Sequence, residues 1–570
     1  MPSSSTRGSH LLLRGYGPLV AFVVFFALMA ALVPTVSEET GTAASVDTGS
    51  STEPGGDGAQ ARAGSQPPDG EDDVDETVED GDEAGTAPET GDGTPAQAGA
   101  EESAADESRG QGTAPAEGVD GCADRELQVP GDPYSPPCVT FDGDNGGETT
   151  HGVNADEIVI SARTPDQEGF QDTLANMGDG AIADSQEDVR RTIAGLVDYF
   201  NERFEFYGRE LRVEFFDGTG NTTEESLGGG RAGAQADALT VADDIGAFAE
   251  LNGSTEPFGD SLAREGVIAI GAPHLSAEWM EERAPYTWSA ATDCSVIARS
   301  SSEFGNVRLR GRDADYAEGD LQGRPRQMAT VVPENPVYQQ CLAAAEQSAR
   351  DAGFEPPMAI TYQLDIGTMS NQAANIVARL QSENITTVTC SCDPVLPVFL
   401  TARATEQDYH PEWIVTGSGF TDQDVVGQLM DQEQWSRAFG ISYNASSQPM
   451  EATLAYNAYK QVRDDEPAFA VNSMYASLYL LAIGIQGAGP ELTPETFQQG
   501  MFDYPGGDGP AGTWGFGPGN YSAPQNFREI YWDPDEVSTF NGQPGAYMET
   551  DPGERHFPGQ LPEGGPRVPW

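Results

Sequence analysis

The sequence is poor in positive charge. Lys460 is its single lysine, and Lys and Arg together number 29 against 92 Asp and Glu, which gives a formal net charge of −63. Nucleic acid is excluded as a partner because phosphate binding requires patches of lysine and arginine. The excess of acid is typical of the proteome of a high-GC or salt-adapted bacterium, where acidic surfaces keep proteins soluble.

A long apolar run, LVAFVVFFALMAALV, stands at residues 19–33 behind Arg7 and Arg14. Fifteen apolar residues fit the core of an export signal and are short for a membrane span, although an uncleaved anchor stays open as the alternative. No cysteine follows the run, so the usual point of bacterial lipid attachment is missing. We expect residues 1–34 to be this signal or anchor, and the rest of the protein to be extracellular, either secreted or tethered to the membrane.

Large aliphatic and aromatic residues are almost absent from residues 35–121, where DGEDDVDETVEDGDEAG is typical. Such a segment buries too little apolar surface to offset the entropy of ordering, so we predict a disordered acidic stalk. About 420 residues remain beyond residue 150, which is too long for one typical domain and predicts two packed lobes.

All six cysteines lie beyond the stalk. An even number in an exported chain favours disulfide bonds. The C-x-C pair lacks a second pair of ligands and the five histidines are scattered, so a metal site is disfavoured, and no cofactor is expected. We predict that Cys122 pairs with Cys138 and closes a turn-rich loop, that Cys341 pairs with Cys390 or Cys392 of the C-x-C, and that Cys294 takes the remaining partner. The candidates are Cys122, Cys138, Cys294, Cys341, Cys390 and Cys392.

From residue 151 onward, short β-branched runs alternate with stretches of helical periodicity. This alternation predicts parallel βαβ units, and hence a doubly wound α/β fold. The predicted strands are 157–163, 210–217, 266–272, 327–333, 358–364, 385–391 and 411–420, and the clearest helices are 186–204, 335–354 and 371–384.

Hydroxyl-rich steps follow two neighbouring predicted strands, one at Ser254 and Thr255 and the other at Ser276. Ligands of parallel sheets bind outside the carboxyl ends of the strands, so both steps are predicted to face one crevice. The alternative is that these residues only cap the helices that follow them, and for Thr255 it weighs at least as much as ligand contact.

The order of these segments resembles the type I periplasmic binding proteins of the branched-chain amino acid receptor branch, the solute-binding proteins of ABC importers. The segments that carry the likeness are HGVNADEIVISARTPDQEGF, NGSTEPFGDSLAREGVIAIGAPHLSAEWMEERAPYTWSAATD, PENPVYQQCLAAAEQSARDAGF and GPAGTWGFGPGNYSAPQNFREIYWDPD. The resemblance covers roughly residues 153–545 and rests on the ordered set of segments, since none is specific alone.

The resemblance implies two lobes joined by three crossings, near Ser289–Cys294, Ile441–Tyr443 and Gly512–Phe516. Its implied boundaries are 122–150 for a disulfide-looped lead-in, 151–293 plus 443–513 for lobe 1, 294–442 plus 514–545 for lobe 2, and 546–570 for a tail rich in proline and glycine.

Ligand-facing positions carry over residue by residue. On the first lobe, Ser254, Thr255 and Ser276 match positions that hold a ligand carboxylate. On the second lobe the matching positions are Tyr338, Asp393, Ser418 and Phe420. Ser418 stands where amino acid receptors usually carry an acid for the ligand ammonium, and this departure weakens an α-amino acid as the ligand. The acids that could substitute are Asp393, Asp422 and Glu256.

These observations predict a monomeric binding protein that is not an enzyme and that closes around a small polar solute, such as an amino acid, an amide or a carboxylate, for an ABC permease. A ligand-sensing ectodomain tethered by the N-terminal segment, without transport, is the alternative. An enzyme on the same scaffold is disfavoured, because the sequence has no Gly-x-Ser-x-Gly elbow, no paired-histidine metal motif and no phosphate loop.

Overall fold

The computed structural model describes residues 122, 125–166, 184–226, 228–253, 255–271 and 275–569. The predicted export segment, the predicted stalk and Ser254 lie outside these residues. The strands are β1 (Glu157–Asp166), β2 (Glu210–Asn221), β3 (Ala249–Glu250), β4 (Ile268–Ile270), β5 (Thr287–Trp288), β6 (Met328–Pro333), β7 (Met358–Tyr362), β8 (Thr387–Cys390), β9 (Glu412–Val415), β10 (Phe439–Ser442), β11 (Gly507–Gly509), β12 (Gly512–Trp514), β13 (Arg528–Val537) and β14 (Pro544–Glu549).

Helices alternate with these strands, as the sequence predicts. They are α1 (Gln186–Arg203), α2 (Thr222–Ser226), α3 (Arg231–Leu239), α4 (Glu256–Arg264), α5 (Ala277–Glu281), α6 (Cys294–Phe304), α7 (Pro336–Asp351), α8 (Ile366–Ser382), α9 (Leu396–Glu406), α10 (Asp424–Gly427), α11 (Gln432–Trp435), α12 (Leu454–Val462), α13 (Val471–Ala488) and α14 (Pro494–Asp503).

Lobe 1 is built on a parallel sheet of order β2-β1-β3-β4-β5. Strand β1 is buried on both faces from Ile158 to Arg163 because helices cover both sides of the sheet. Helix α1 starts in a capping box at Ser185, whose hydroxyl accepts from the Asp188 amide, and it buries Leu196 and Phe200. Helices α12, α13 and α14 return to the core of this lobe.

Lobe 2 is built on a seven-stranded sheet of order β14-β13-β10-β9-β8-β6-β7. The strands from β7 to β10 are parallel, whereas β13 and β14 form an antiparallel edge. The doubly wound α/β fold with two sheets is therefore confirmed.

The chain passes between the lobes three times. Trp288 belongs to the core of lobe 1 and Val296 to lobe 2, so the first crossing is at residues 289–293. The second follows Tyr443 instead of beginning at Ile441, because Ile441 lies within β10. The predicted third crossing at Gly512–Phe516 is wrong: Phe516 packs in lobe 1, and the chain leaves that core only after Ala523.

Residues 125–150 form a strap on lobe 1. The hydroxyl of Tyr134 in the strap donates to the carbonyl of Gly512 at 2.9 Å, and its ring lies 5.1 Å from that of Trp514. Near the strap's end, the Thr149 hydroxyl donates to the Leu492 carbonyl at 2.6 Å.

Residues 550–569, which we call the C-terminal segment, pack on lobe 2. The predicted tail from residue 546 is therefore corrected: β14 continues to Glu549, and Leu561 is buried in the core of this lobe. Glu303 of α6 accepts from the amides of Gly559 and Leu561. Proline and glycine serve here as turns of a packed segment.

Three disulfides are present. Cys122 pairs with Cys138, as expected. The predicted bridge from Cys341 to the C-x-C is wrong, because Cys341 pairs with Cys294 and the two cysteines of the C-x-C, Cys390 and Cys392, pair with each other. The reason is that α6 and α7 pack side by side, which brings the Cα atoms of Cys294 and Cys341 to 5.6 Å.

Candidate functional site

The carboxyl end of β1 in lobe 1 carries a buried charge network. The guanidinium of Arg163 donates to Glu225 at 2.8 and 2.9 Å and to Asp237 at 3.1 Å, with all three side chains almost fully buried. The guanidinium also lies 3.7 Å from the ring centroid of Phe258. Charges that are removed from water in this way persist only when paired, so this edge of the sheet is held in one arrangement.

Glu250 connects β3 to β1 at the same edge. Its carboxylate accepts from the Ser161 hydroxyl and from the main-chain amides of Arg163 at 2.8 Å and Asn252 at 3.1 Å. Complete burial raises the pKa of Glu250, although these hydrogen bonds oppose the shift.

The predicted hydroxyls of lobe 1 have partners. Thr255 stands at the N-cap of α4 without capping it; its hydroxyl donates to Glu225 at 2.5 Å. Ser276 caps α5 by accepting from the Trp279 amide at 3.0 Å, and it donates to the side-chain oxygen of Gln340 at 2.8 Å. Because Gln340 belongs to α7 of lobe 2, Ser276 is a direct contact between the two lobes.

The facing edge of lobe 2 combines an acid with two tyrosines. The Tyr362 hydroxyl donates to the Asp393 Oδ2 atom at 2.5 Å, while Oδ1 accepts from the amides of Val395 at 2.7 Å and Leu396 at 3.2 Å. Burial raises the pKa of Asp393. Tyr338 follows β6 and Asp393 follows β8, and these two strands are paired in the sheet. Burial, with a contribution from the negative charge of Asp393, raises the pKa of Tyr338.

The loop after β9 packs against the loop that carries Asp393. The Ser418 hydroxyl donates to the Cys392 carbonyl at 3.4 Å. A Cβ atom at Gly419 would lie 2.5 Å from that carbonyl oxygen, so only glycine permits this approach. Phe420, which follows with a positive φ of 58°, keeps half of its surface exposed. Tyr338, Asp393 and Ser418 are thus brought together at this edge.

The other two candidate acids are engaged elsewhere. Asp422 accepts from the Ser442 hydroxyl at 2.6 Å and from the Asn444 amide at 3.0 Å, next to the second crossing, and burial raises its pKa. Glu256 forms an ion pair with Arg231 at 2.8 Å. Asp393 is therefore the candidate acid whose neighbours are other proposed ligand residues.

Sequence reasoning missed Tyr362, Glu250 and Gln340. Tyr362 and Glu250 are the last residues of β7 and β3, so the strand-end rule applied to every strand would have found them. Gln340 carries no such signal, because only the packing of the lobes brings α7 to Ser276.

Two further properties concern the described residues only. Their His, Cys, Asp and Glu side chains form no group of three or more suited to a metal ion. Among their helices, none has both the length and the apolar character of a membrane span; the apolar run at 19–33 lies outside the described part of the chain.

The sequence model of a family described as periplasmic binding protein matches residues 174–535. Among curated proteins, none matches this sequence. The fold is similar to that of a solute-binding protein of an ABC transporter from Rhodopseudomonas palustris HaA2 in complex with p-hydroxybenzoic acid, at 12% identity and a TM-score of 0.50, covering 71% of this chain and 98% of the other.

Two more solved structures are similar. One is a leucine-, isoleucine-, valine-, threonine- and alanine-binding protein from Brucella ovis in a closed conformation, at 13% identity and a TM-score of 0.49, covering 71% and 96% of the two chains. The other is a fatty acid ABC transporter substrate-binding protein from Thermomonospora curvata, at 15% identity and 0.48, covering 71% and 94%.

Proposed function

Because the chain belongs to the type I periplasmic binding proteins, the substrate-binding components of ABC transporters, we propose that it closes its two lobes around a small polar solute and delivers it to an ABC permease. One observation carries the proposal: the carboxyl edges of the two sheets approach one another, with Ser276 of lobe 1 bonded to Gln340 of lobe 2. Ligands of doubly wound sheets bind at these edges.

Recognition in this proposal centres on Asp393. A carboxylate offers about four lone-pair sites, and three are used by Tyr362, Val395 and Leu396. The fourth can accept from a hydroxyl, amide or ammonium group of the solute. Tyr338, Ser418 and Phe420 supply the surrounding wall, so an amino acid, an amide or a hydroxylated carboxylate fits this chemistry.

Lobe 1 contributes the opposite wall. We propose that Ser254 and Ser276 contact the carboxylate-like end of the solute, and that Thr255 acts through Glu225, to which its hydroxyl is bonded. Ser276 retains acceptor capacity beside its bonds to Trp279 and Gln340, and its proton can be redirected to a solute when the lobes rearrange.

Periplasmic binding proteins work outside the cytoplasm, which agrees with residues 1–34 as an export signal or anchor. The tethered sensor remains the second candidate function, favoured by the long acidic segment at 35–121 and by the missing lipid-attachment cysteine. Copurification with a permease and an ATPase from the native membrane would support transport, and their absence with retained solute binding would support the sensor.

The solute is found by a thermal-shift screen of amino acids, amides, ureas, short carboxylates and hydroxybenzoates. Binding raises the unfolding temperature by mass action. The hit should lose affinity in Asp393→Asn but not in Glu256→Gln, a matched acid outside the proposed wall. If both variants have the affinity of the parent for the hit, the proposed site is contradicted. A screen without any hit would contradict the proposed solute class.

A further inference from the structure

The C-terminal segment reaches the hinge through Arg555. The guanidinium Nη2 atom donates to the Tyr443 carbonyl at 2.6 Å and to the Asn526 carbonyl at 2.9 Å. The Nη1 atom donates to the Asn444 carbonyl at 3.3 Å. Tyr443 and Asn444 lie where the second crossing begins, and Asn526 lies within the third, so a single side chain joins two crossings.

The same contact continues into lobe 1. The Nε atom of Arg555 donates to the Asn526 side-chain oxygen at 3.1 Å, and that oxygen also accepts from the amide of Thr513 in β12 at 2.9 Å. The neighbouring residue, Gly512, accepts from the strap through Tyr134. The strap and the C-terminal segment therefore meet at the hinge, through β12.

Main-chain bonds fix the position of Arg555. The next residue, His556, pairs with Phe527 in both directions, at 2.7 and 2.9 Å, so the segment forms an isolated antiparallel bridge with the third crossing. Further along, the carbonyl of Pro562 accepts from the buried Arg308. These contacts fix the C-terminal segment on lobe 2, while Arg555 is bonded to the second and third crossings.

The environment of Arg555 is costly for a cation. Burial, together with the nearby Arg528, lowers the pKa of Arg555 to about 10. Its hydrogen bonds go to carbonyl oxygens and one amide oxygen, which stabilise the charge without neutralising it. A half-buried guanidinium bonded in this way holds several acceptors in a fixed geometry.

We propose that Arg555 is a positioning residue for lobe closure: its guanidinium links the second and third crossings, so that they change conformation together. Closure about a hinge requires changes in backbone dihedral angles at the crossings. Residues bonded to one rigid fork cannot make those changes independently. Arg555 lies beyond residue 535, where the family match ends, so this link is an addition to the matched core.

The test is amide hydrogen exchange on the full chain without solute, so it is independent of the solute's identity. The inference rests on the proposed lobe closure. A negative exchange result would contradict the inference alone, and a negative solute-binding result would contradict the proposed function alone. Arg555→Ala should speed exchange about tenfold at residues 443–444 and 525–527, leaving the interior of α13 unchanged. Arg555→Lys, which keeps the charge without the fork, should fall between this variant and the parent.

The matched control is Arg567→Ala. Arg567 belongs to the same segment and pairs with Asp551 and Glu554 at the surface, so its loss should leave exchange at both crossings as in the parent. Unchanged exchange in Arg555→Ala would overturn the proposal. Equal acceleration in α13 would overturn it as well, because Arg555 would then serve only general stability.

Discussion

A buried ion-pair network of lobe 1 and one of lobe 2 lie at opposite ends of their sheets. In lobe 1, Arg163 joins Glu225 and Asp237 at the carboxyl end of β1, the edge that faces lobe 2. In lobe 2, Arg326 forms a bidentate pair with Glu412, at 2.7 Å for both bonds, at the amino end of β9 and therefore away from the proposed site.

We infer from this difference that lobe 1 provides a rigid edge and that lobe 2 recognises the solute. In lobe 1, the charged side chains at the proposed binding edge pair with one another, and this pairing makes the edge a rigid platform. Lobe 2 has the Arg326–Glu412 pair at the far end of β9, and its proposed binding edge carries tyrosines, the Asp393 carboxylate and a half-exposed Phe420. We infer that solute selectivity resides mainly in lobe 2.

The largest effect is expected from removing either buried arginine. Arg163→Met and Arg326→Met each leave buried carboxylates without their cation, which costs about 3–5 kcal/mol of unfolding free energy. The two variants should be similarly destabilised in urea unfolding. Below the unfolding transition, only Arg163→Met should also weaken binding of the solute found in the screen, because only that network lies at the binding edge.

Arg190→Ala is the control for this comparison. Arg190 pairs with Asp217 at an exposed site of lobe 1, where an ion pair contributes at most about 1 kcal/mol. A loss of that size in Arg163→Met would show that its network is not stabilising. Equal loss of binding in both buried variants would remove the distinction between the two ends.

Disulfide removal should follow loop length. The bridge from Cys294 to Cys341 spans 47 residues, and its replacement by two alanines should cost about 4 kcal/mol, because the unfolded chain regains that loop's freedom. The bridge from Cys390 to Cys392 spans two residues and should cost less than about 2 kcal/mol. Urea unfolding of the two double variants measures both; the reverse order would contradict the loop-entropy account.

The sequence was sufficient for the elements and for the edge where the site is proposed. Strand β6 was predicted at 327–333 and is found at Met328–Pro333, because β-branched residues in a buried run are a local signal. The pairing of Cys294 with Cys341 was not predictable, since it depends on how α6 and α7 pack. The C-terminal segment was misinterpreted because its glycines and prolines are also typical of unstructured chain, and its anchor, Leu561, is one buried residue among turns.

A smaller and more local effect is expected at the Asp393 carboxylate. Asp393→Asn keeps the shape but removes the charge, so affinity for the screened solute should fall about 10- to 100-fold, the range of one charge-assisted hydrogen bond. Tyr362→Phe should weaken binding less, since it removes only the group that orients the carboxylate. Calorimetry measures both. Parent-like affinity in Asp393→Asn would show that the solute is recognised outside this edge of lobe 2, and it would contradict the inferred difference between the lobes.

The smallest effect is expected at Glu250, and it depends on pH. Burial raises the pKa of Glu250 in the folded state above its ordinary value of 4.5, so the folded protein binds this proton before the unfolded chain does. The free energy of unfolding therefore rises as pH falls through the folded-state pKa, and this contribution is complete below the unfolded value.

Glu250→Gln removes the titration, while its amide can still donate to Ser161 and its oxygen can accept from the amides of Arg163 and Asn252. The variant should match or exceed the parent in stability at pH 7, and this advantage should shrink as pH approaches about 4.5. Urea unfolding across this range, beside the exposed Glu265→Gln as control, measures it. A variant that loses stability at pH 7 would show that the Glu250 charge itself holds β1 to β3, and the platform of lobe 1 would then depend on two ionised clusters instead of one.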